Sequence, residues 1–168
     1  EFGLFLSVHE TQTQLLEDMG RFEFRLPEAM QADRLRFVNM VSEEGQQLIR
    51  RAERRGSGRF NLEHLAAELD NLVGSNDIDR IVVDSTMLLD HLFPSSENAV
   101  KKFVTALKRV DATTLLISEM TDPSAYAPEH YLAHGVLFFH NYLEGGEMTR
   151  GLQLLKMRGT NINCTVRP

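Results

Sequence analysis

Ile81-Val82-Val83-Asp84-Ser85 is the stretch of sequence that decides the fold class. Three β-branched residues in succession favour a strand, and such an apolar run is typical of a parallel sheet buried on both faces. The strand ends at a carboxylate that is followed by a small hydroxyl residue. Because the carboxyl ends of strands in open α/β sheets line the ligand crevice, Asp84 is a candidate site residue. The alternative is that Asp84 only caps the segment that follows.

Short apolar strands alternate with amphipathic helices on both sides of this stretch. The pattern predicts further strands over residues 4–8, 35–41, 113–117, 135–142 and 152–157. It predicts helices over residues 11–20, 42–55 and 97–110, and one that starts at Asn61. Glu144-Gly145-Gly146-Glu147 indicates a hairpin turn between the last two strands. This order predicts an α/β fold, with a mostly parallel sheet flanked by helices and a C-terminal β-hairpin.

Composition places the chain among ordinary globular proteins. Its 168 residues predict a single domain over 1–168, and the formal net charge is -6. That acidity argues against a nucleic-acid or membrane surface, and no apolar run reaches the length of a membrane span. The single cysteine, Cys164, excludes an internal disulfide and fits a reducing cytosol, so we expect a cytoplasmic protein.

Two further positions have residue types suited to phosphate chemistry. Glu10 follows the first strand, where a carboxylate can align and deprotonate a water for attack on a γ-phosphate. The alternative is an acidic residue that is favoured at a helix N-terminus. Lys156 and Arg158 alternate along the last strand, so both cations point to one face and suit a polyphosphate. The alternative is an edge strand protected by charge.

Several segments together resemble the KaiC-like ATPases of the RecA superfamily. The most distinctive runs from Gly145-Gly146-Glu147-Met148-Thr149-Arg150 to Lys156-Met157-Arg158-Gly159-Thr160-Asn161. Residues 128–136 resemble the segment before it, residues 81–85 the Walker B strand, and residues 6–16 the strand and helix that hold the catalytic glutamates. The resemblance covers nearly all of the chain.

This resemblance implies a RecA-like P-loop NTPase core that binds ATP and Mg²⁺ in a homo-oligomeric, usually hexameric, ring. It implies Glu10 as the general base and Asp84 as the residue that serves Mg²⁺. Ser85, Ser118 and Thr160 would contact the nucleotide, with Ser118 as a γ-phosphate sensor. Lys156 and Arg158 would reach the nucleotide of the neighbouring subunit. A regulatory or signalling role is the expected use of the ATPase.

Two departures from the family pattern bear on activity. The family usually has two glutamates in tandem after the first strand, whereas this chain has His9 and then Glu10. No G-x-x-x-x-G-K-[ST] phosphate loop occurs in the sequence. In the family that loop and its strand lie upstream of the segment matched here. We therefore expect an N-terminally truncated ATPase domain that binds ATP poorly by itself.

Two other functions remain open at this point. The first is an interaction module that has lost catalysis and keeps the oligomerisation surface. The second is a recombinase-related DNA-binding ATPase, which is less favoured because residues 85–100 and 119–135 contain no Lys or Arg. Nucleic acid is therefore not an expected partner.

Three remaining features have plain structural explanations. His130 and His134 are four residues apart and could share a helical face as zinc ligands, but a polar loop or helix end is the preferred interpretation. Phe138-Phe139 is predicted as strand core. A basic cluster is predicted as a solvated helix face or an anion contact, and it comprises Arg50, Arg51, Arg54, Arg55 and Arg59.

Overall fold

The computed structural model describes residues 1–54, 67–69, 78–89, 98–119 and 127–168. The chain forms two compact units, Glu1–Asp122 and Pro123–Pro168. The expectation of one domain over residues 1–168 stays a prediction. The helix expected from Asn61 lies outside the described residues except for 67–69, which are helical.

The first unit is built on a four-stranded parallel sheet in the order β2-β1-β3-β4. Its strands are β1 (Gly3–Ser7), β2 (Leu35–Asn39), β3 (Arg80–Asp84) and β4 (Thr113–Ile117). Its helices are α1 (Gln12–Met19), α2 (Leu26–Gln31), α3 (Glu43–Arg54) and α4 (Ala99–Leu107), with a 3₁₀ turn at Thr86–Leu88.

One face of this sheet forms the core. The register sets Leu6 beside Val38 on one side and beside Val83 on the other, and all three are fully buried. Phe103 of α4 belongs to the same apolar cluster, as does Leu48 of α3. On the opposite face Phe5 stacks on Phe37 with ring centroids 5.6 Å apart. This face is less buried, because Val82 is half-buried and Leu115 on the edge strand is 59% exposed. This second face of the sheet is therefore only partly buried.

The second unit consists of α5 (Pro128–Leu132) and an antiparallel hairpin of β5 (Gly135–Glu144) and β6 (Glu147–Met157). Gly145 and Gly146 form its two-residue turn, with φ of 60° and 88°. Positive φ at both positions is what a type I′ hairpin requires, and glycine adopts it without strain. The tail pairs back onto the hairpin through a bridge between Leu152 and Arg167.

The predicted α/β class, parallel sheet and C-terminal hairpin are confirmed. The prediction that Phe139 is core is wrong, because its side chain is 76% exposed. Neighbouring residues of a strand point to opposite faces, so Phe138 and Phe139 cannot share one environment. No helix in the described part of the chain is long and apolar enough to cross a membrane.

Candidate functional site

The candidate site of the first unit lies at the carboxyl ends of β1 and β3. These strands are neighbours in the parallel sheet, and the register pairs Ser7 with Asp84, the last residue of each strand. The N–H of Val8 donates to the carbonyl of Asp84 at 2.7 Å, so the two strand ends stay together beyond the ladder. Residues that follow β1 are thereby brought close to Asp84.

The turn after β1 is held by two side chains that the sequence analysis did not single out. Ser7 Oγ accepts hydrogen bonds from the N–H of Glu10 at 2.8 Å and of His9 at 3.4 Å. Asn39 Nδ2, at the end of β2, donates to the carbonyl of Glu10 at 2.7 Å. Thr11 then caps α1 and forms a reciprocal capping box with Gln14. The backbone at His9 and Glu10 is therefore fixed from three directions.

This turn brings three potential ligands together. One ligand atom from each of His9, Glu10 and Asp84 lies within 4.8 Å of the other two. His9 Nε2 is 3.8 Å from Glu10 Oε1. The imidazole is exposed and both carboxylates are half-buried, so the cluster is open to solvent. A pair of carboxylates with an imidazole is a donor set that fits a divalent cation.

The other predicted residues of the first unit also lie at this edge of the sheet. Ser85 directly follows Asp84 and is buried. The register pairs Asp84 with Ile117, so Ser118 comes just after the end of the adjacent strand, where it is half-buried. Four sequence-predicted residues therefore lie at the carboxyl ends of β1, β3 and β4: Glu10, Asp84, Ser85 and Ser118.

Lys156 and Arg158 belong to the second unit, where both contact the end of α5. Lys156 Nζ donates to the carbonyls of His130 at 2.9 Å and Tyr131 at 3.0 Å. Arg158 Nη2 donates to the same Tyr131 carbonyl at 2.9 Å. The two cations therefore share one face and satisfy carbonyl groups in the last turn of a helix, where positive charge is favourable. Thr160 lies exposed beyond the end of β6.

The alternative metal site at His130 and His134 has no geometric support. His130 Nδ1 accepts a hydrogen bond from the N–H of Ala127 at 3.2 Å, which is a helix-end contact. Within the described ranges, the group of three or more candidate ligands that lie close together is the one at His9. In the basic cluster, Arg51 is 3.9 Å from the buried Glu68 carboxylate, whereas Arg55 and Arg59 lie outside the described residues.

Part of the site was missing from the sequence interpretation. His9 was regarded only as a departure from a tandem of acidic residues, yet its ring joins the cluster. Ser7 and Asn39 have a shared signal that could have found them, since each is a small polar residue at the last position of a parallel strand. Such residues bond to the backbone of the loop that follows.

Comparison with known proteins gives a consistent family relationship. The family model for the KaiC ATPase matches residues 1–168, the whole chain. The circadian clock oscillator protein KaiC of Synechococcus elongatus (strain ATCC 33912 / PCC 7942 / FACHB-805) is 24% identical over 169 residues, which cover 96% of this chain and 31% of that protein. The KaiC protein of Parasynechococcus marenigrum (strain WH8102) is 23% identical over 168 residues, 95% of this chain and 31% of that protein. The chain thus spans about a third of the length of these relatives.

Proposed function

We propose that the chain, which belongs to the KaiC ATPase family, supplies the catalytic carboxylates of an ATP-hydrolysing RecA-like domain. The observation that supports this most directly is the position of Glu10 and Asp84. They come from separate strands, and their carboxylates lie together at the edge of the sheet where α/β folds bind ligands. Two carboxylates at this place serve different purposes in nucleotide hydrolysis.

Asp84 is the residue proposed to hold Mg²⁺, because a carboxylate at a strand end can bind the ion directly or through its waters. When bound, Mg²⁺ neutralises charge on the β- and γ-phosphates of ATP. Glu10 is proposed to accept a proton from the attacking water. Its backbone is held by Ser7 and Asn39, so the point from which its side chain extends is set before substrate binds.

The remaining predicted residues receive supporting roles. Ser85 and Ser118 lie at the same sheet edge as Asp84 and are proposed to contact the nucleotide, with Ser118 near the γ-phosphate. Thr160, Lys156 and Arg158 are proposed to act on the nucleotide of a neighbouring subunit in a homo-oligomeric ring. A cation supplied in this way stabilises charge in the transition state and makes hydrolysis depend on assembly. A regulatory ATPase of the cytoplasm is the role that we propose for such a ring.

Replacement of the proposed base tests this function. In the full-length gene product, we expect Glu10→Gln to lower kcat for Mg²⁺-ATP hydrolysis by about 10²–10⁴-fold, because the amide cannot accept the proton. The Kd for Mg²⁺-ATP should not change. Glu17→Gln is the matched control, since Glu17 is an exposed carboxylate on α1. Wild-type turnover in Glu10→Gln would show that the role assigned to Glu10 is wrong.

A second candidate is an interaction module without catalysis. Lys156 and Arg158 both donate hydrogen bonds to the Tyr131 carbonyl. This structural role for the two cations favours the interaction module. His9 in place of an acidic residue points the same way. Isothermal titration of the full-length product with Mg²⁺-ATP separates the two functions. Binding heat supports the ATPase, and its absence supports the module.

A further inference from the structure

We propose that His9, Glu10 and Asp84 form a site for a divalent transition metal ion of the Zn²⁺ or Co²⁺ type. The ion would be bound directly, through one imidazole nitrogen and one oxygen from each carboxylate. This site uses the same strand ends as the proposed nucleotide site, but it needs no nucleotide. The metal site can therefore be tested independently of ATP hydrolysis.

The spacing of the three donors suits direct coordination. Ligands about 2.0–2.2 Å from a tetrahedral ion lie about 3.3–3.6 Å from one another. His9 Nε2 and Glu10 Oε1 are already 3.8 Å apart. No pair in the cluster exceeds 4.8 Å, so small side-chain rotations close the set around one ion. The His9 ring is exposed, so water can reach the cluster as a further ligand.

The type of donor determines which metal ion is preferred. Mg²⁺ is bound through oxygen ligands in octahedral geometry and keeps several of its waters. Imidazole nitrogen instead favours Zn²⁺, Co²⁺ and Ni²⁺, whose affinities for mixed N and O ligands exceed those of the hard cations. This selectivity therefore depends on His9, which supplies the nitrogen donor of the cluster.

The scaffold holds the backbone that carries these donors in place before a metal ion binds. Ser7 Oγ fixes the N–H groups of His9 and Glu10, and the Val8–Asp84 hydrogen bond joins the two strand ends. Preorganised ligands lose little entropy on binding. Coordination would also occupy the carboxylate that is proposed as the general base. Bound Zn²⁺ should therefore inhibit hydrolysis by withdrawing Glu10 from the attacking water.

Co²⁺ titration of the nucleotide-free chain tests the site, with visible d–d absorption as the signal and Zn²⁺ as the competitor. We expect a saturable band that Zn²⁺ abolishes and excess Mg²⁺ does not. His9→Gln, which keeps a polar side chain of similar size, should weaken Co²⁺ binding by at least about tenfold. Asp84→Asn should have a similar effect. His134→Ala is the matched control, because it removes an exposed histidine of the second unit.

Each outcome of these titrations either supports or overturns the metal site. Unchanged Co²⁺ affinity in His9→Gln would overturn the proposal, as would equal loss in His134→Ala. Circular dichroism of each variant identifies a folding defect. If a variant is misfolded, the melting temperature of the wild-type chain is measured with Zn²⁺ and with Mg²⁺ instead. There a rise in melting temperature with Zn²⁺ but not Mg²⁺ supports the site, and no rise overturns it. If the wild-type protein binds Co²⁺ as expected but does not hydrolyse ATP, the ATPase proposal is contradicted and the metal-site proposal is still supported.

Discussion

Ser7 is the residue whose hydroxyl holds the backbone of two functional residues. It is fully buried at the end of β1 and accepts the N–H groups of both His9 and Glu10. A backbone carbonyl at this position would point toward the neighbouring strand. The side-chain hydroxyl of Ser7 can instead accept two hydrogen bonds from the segment that turns back over it. The cluster at His9, Glu10 and Asp84 therefore depends on a residue that is not part of it.

We expect Ser7→Ala to lower the free energy of unfolding by about 1–3 kcal/mol, because the Glu10 N–H loses its acceptor. Alanine fits the space, so the cost comes from the hydrogen bonds and not from a clash. Urea unfolding measures the change, and Thr165→Ala, which removes an exposed hydroxyl, is the control. A Ser7→Ala variant as stable as wild type would show that water replaces the hydroxyl at no cost.

At this scale the sequence predicted the charged residues but not their supports. Asp84 and Glu10 were found because a carboxylate after an apolar strand is a visible pattern. Ser7 and Asn39 were not, because a small polar residue at a strand end is a weaker pattern, and the contact of Asn39 with Glu10 also depends on which strands are neighbours. The sheet order β2-β1-β3 places all three strand ends side by side, and that order is set by packing rather than by local sequence.

The junction between β2 and α3 is the element that most restricts its sequence. Asn39 ends β2 because its side-chain oxygen accepts the N–H groups of Val41 and Ser42 and turns the chain. The expected strand over residues 35–41 is shortened to Leu35–Asn39 for this reason. Helix α3 then starts so close to the strand that a Cβ on Gly45 would overlap the carbonyl oxygen of Asn39 and lie 2.7 Å from the carbonyl carbon of Met40.

Gly45→Ala should therefore destabilise the first unit by about 1–3 kcal/mol, although alanine is the better helix former. The methyl group meets backbone atoms, which cannot move aside as a flexible side chain would. Gln47→Ala, at an exposed position of the same helix, should change stability by less than about 0.5 kcal/mol. Thermal unfolding compares the two. A stabilised Gly45→Ala would mean that α3 can shift away from β2 without loss.

Some elements were predicted to the residue, whereas others were missed or given different bounds. Strand β4 begins and ends where the pattern placed it, at Thr113–Ile117. Helix α2 was missed, since its six residues are fewer than two helical turns and give too short a pattern to show periodicity. Strand β6 begins at Glu147 rather than at residue 152, because the two-residue turn at Gly145 and Gly146 starts the pairing at once.

At the scale of the whole molecule, the proposed activity joins residues of different units. Glu10 and Asp84 belong to the first unit, whereas Lys156 and Arg158 belong to the second. The register between β1 and β3 requires Glu10 and Asp84 of one site to come from one chain. Lys156 and Arg158 are proposed to act on the nucleotide of a neighbouring subunit, so the proposed ring would combine the carboxylates of one subunit with the cation of the next.

Mixed assemblies of the full-length product test this division. Glu10→Gln and Arg158→Ala should each be inactive alone. An equal mixture of the two should restore about a quarter of wild-type ATPase activity, because about a quarter of the subunit interfaces then pair an intact Glu10 with an intact Arg158. Glu10→Gln mixed with Asp84→Asn is the control and should recover nothing, since both defects lie on one side of the interface. Mixed rings that form but stay inactive would contradict a trans role. Arg158 would then act only at the Tyr131 carbonyl, as a support for the end of α5.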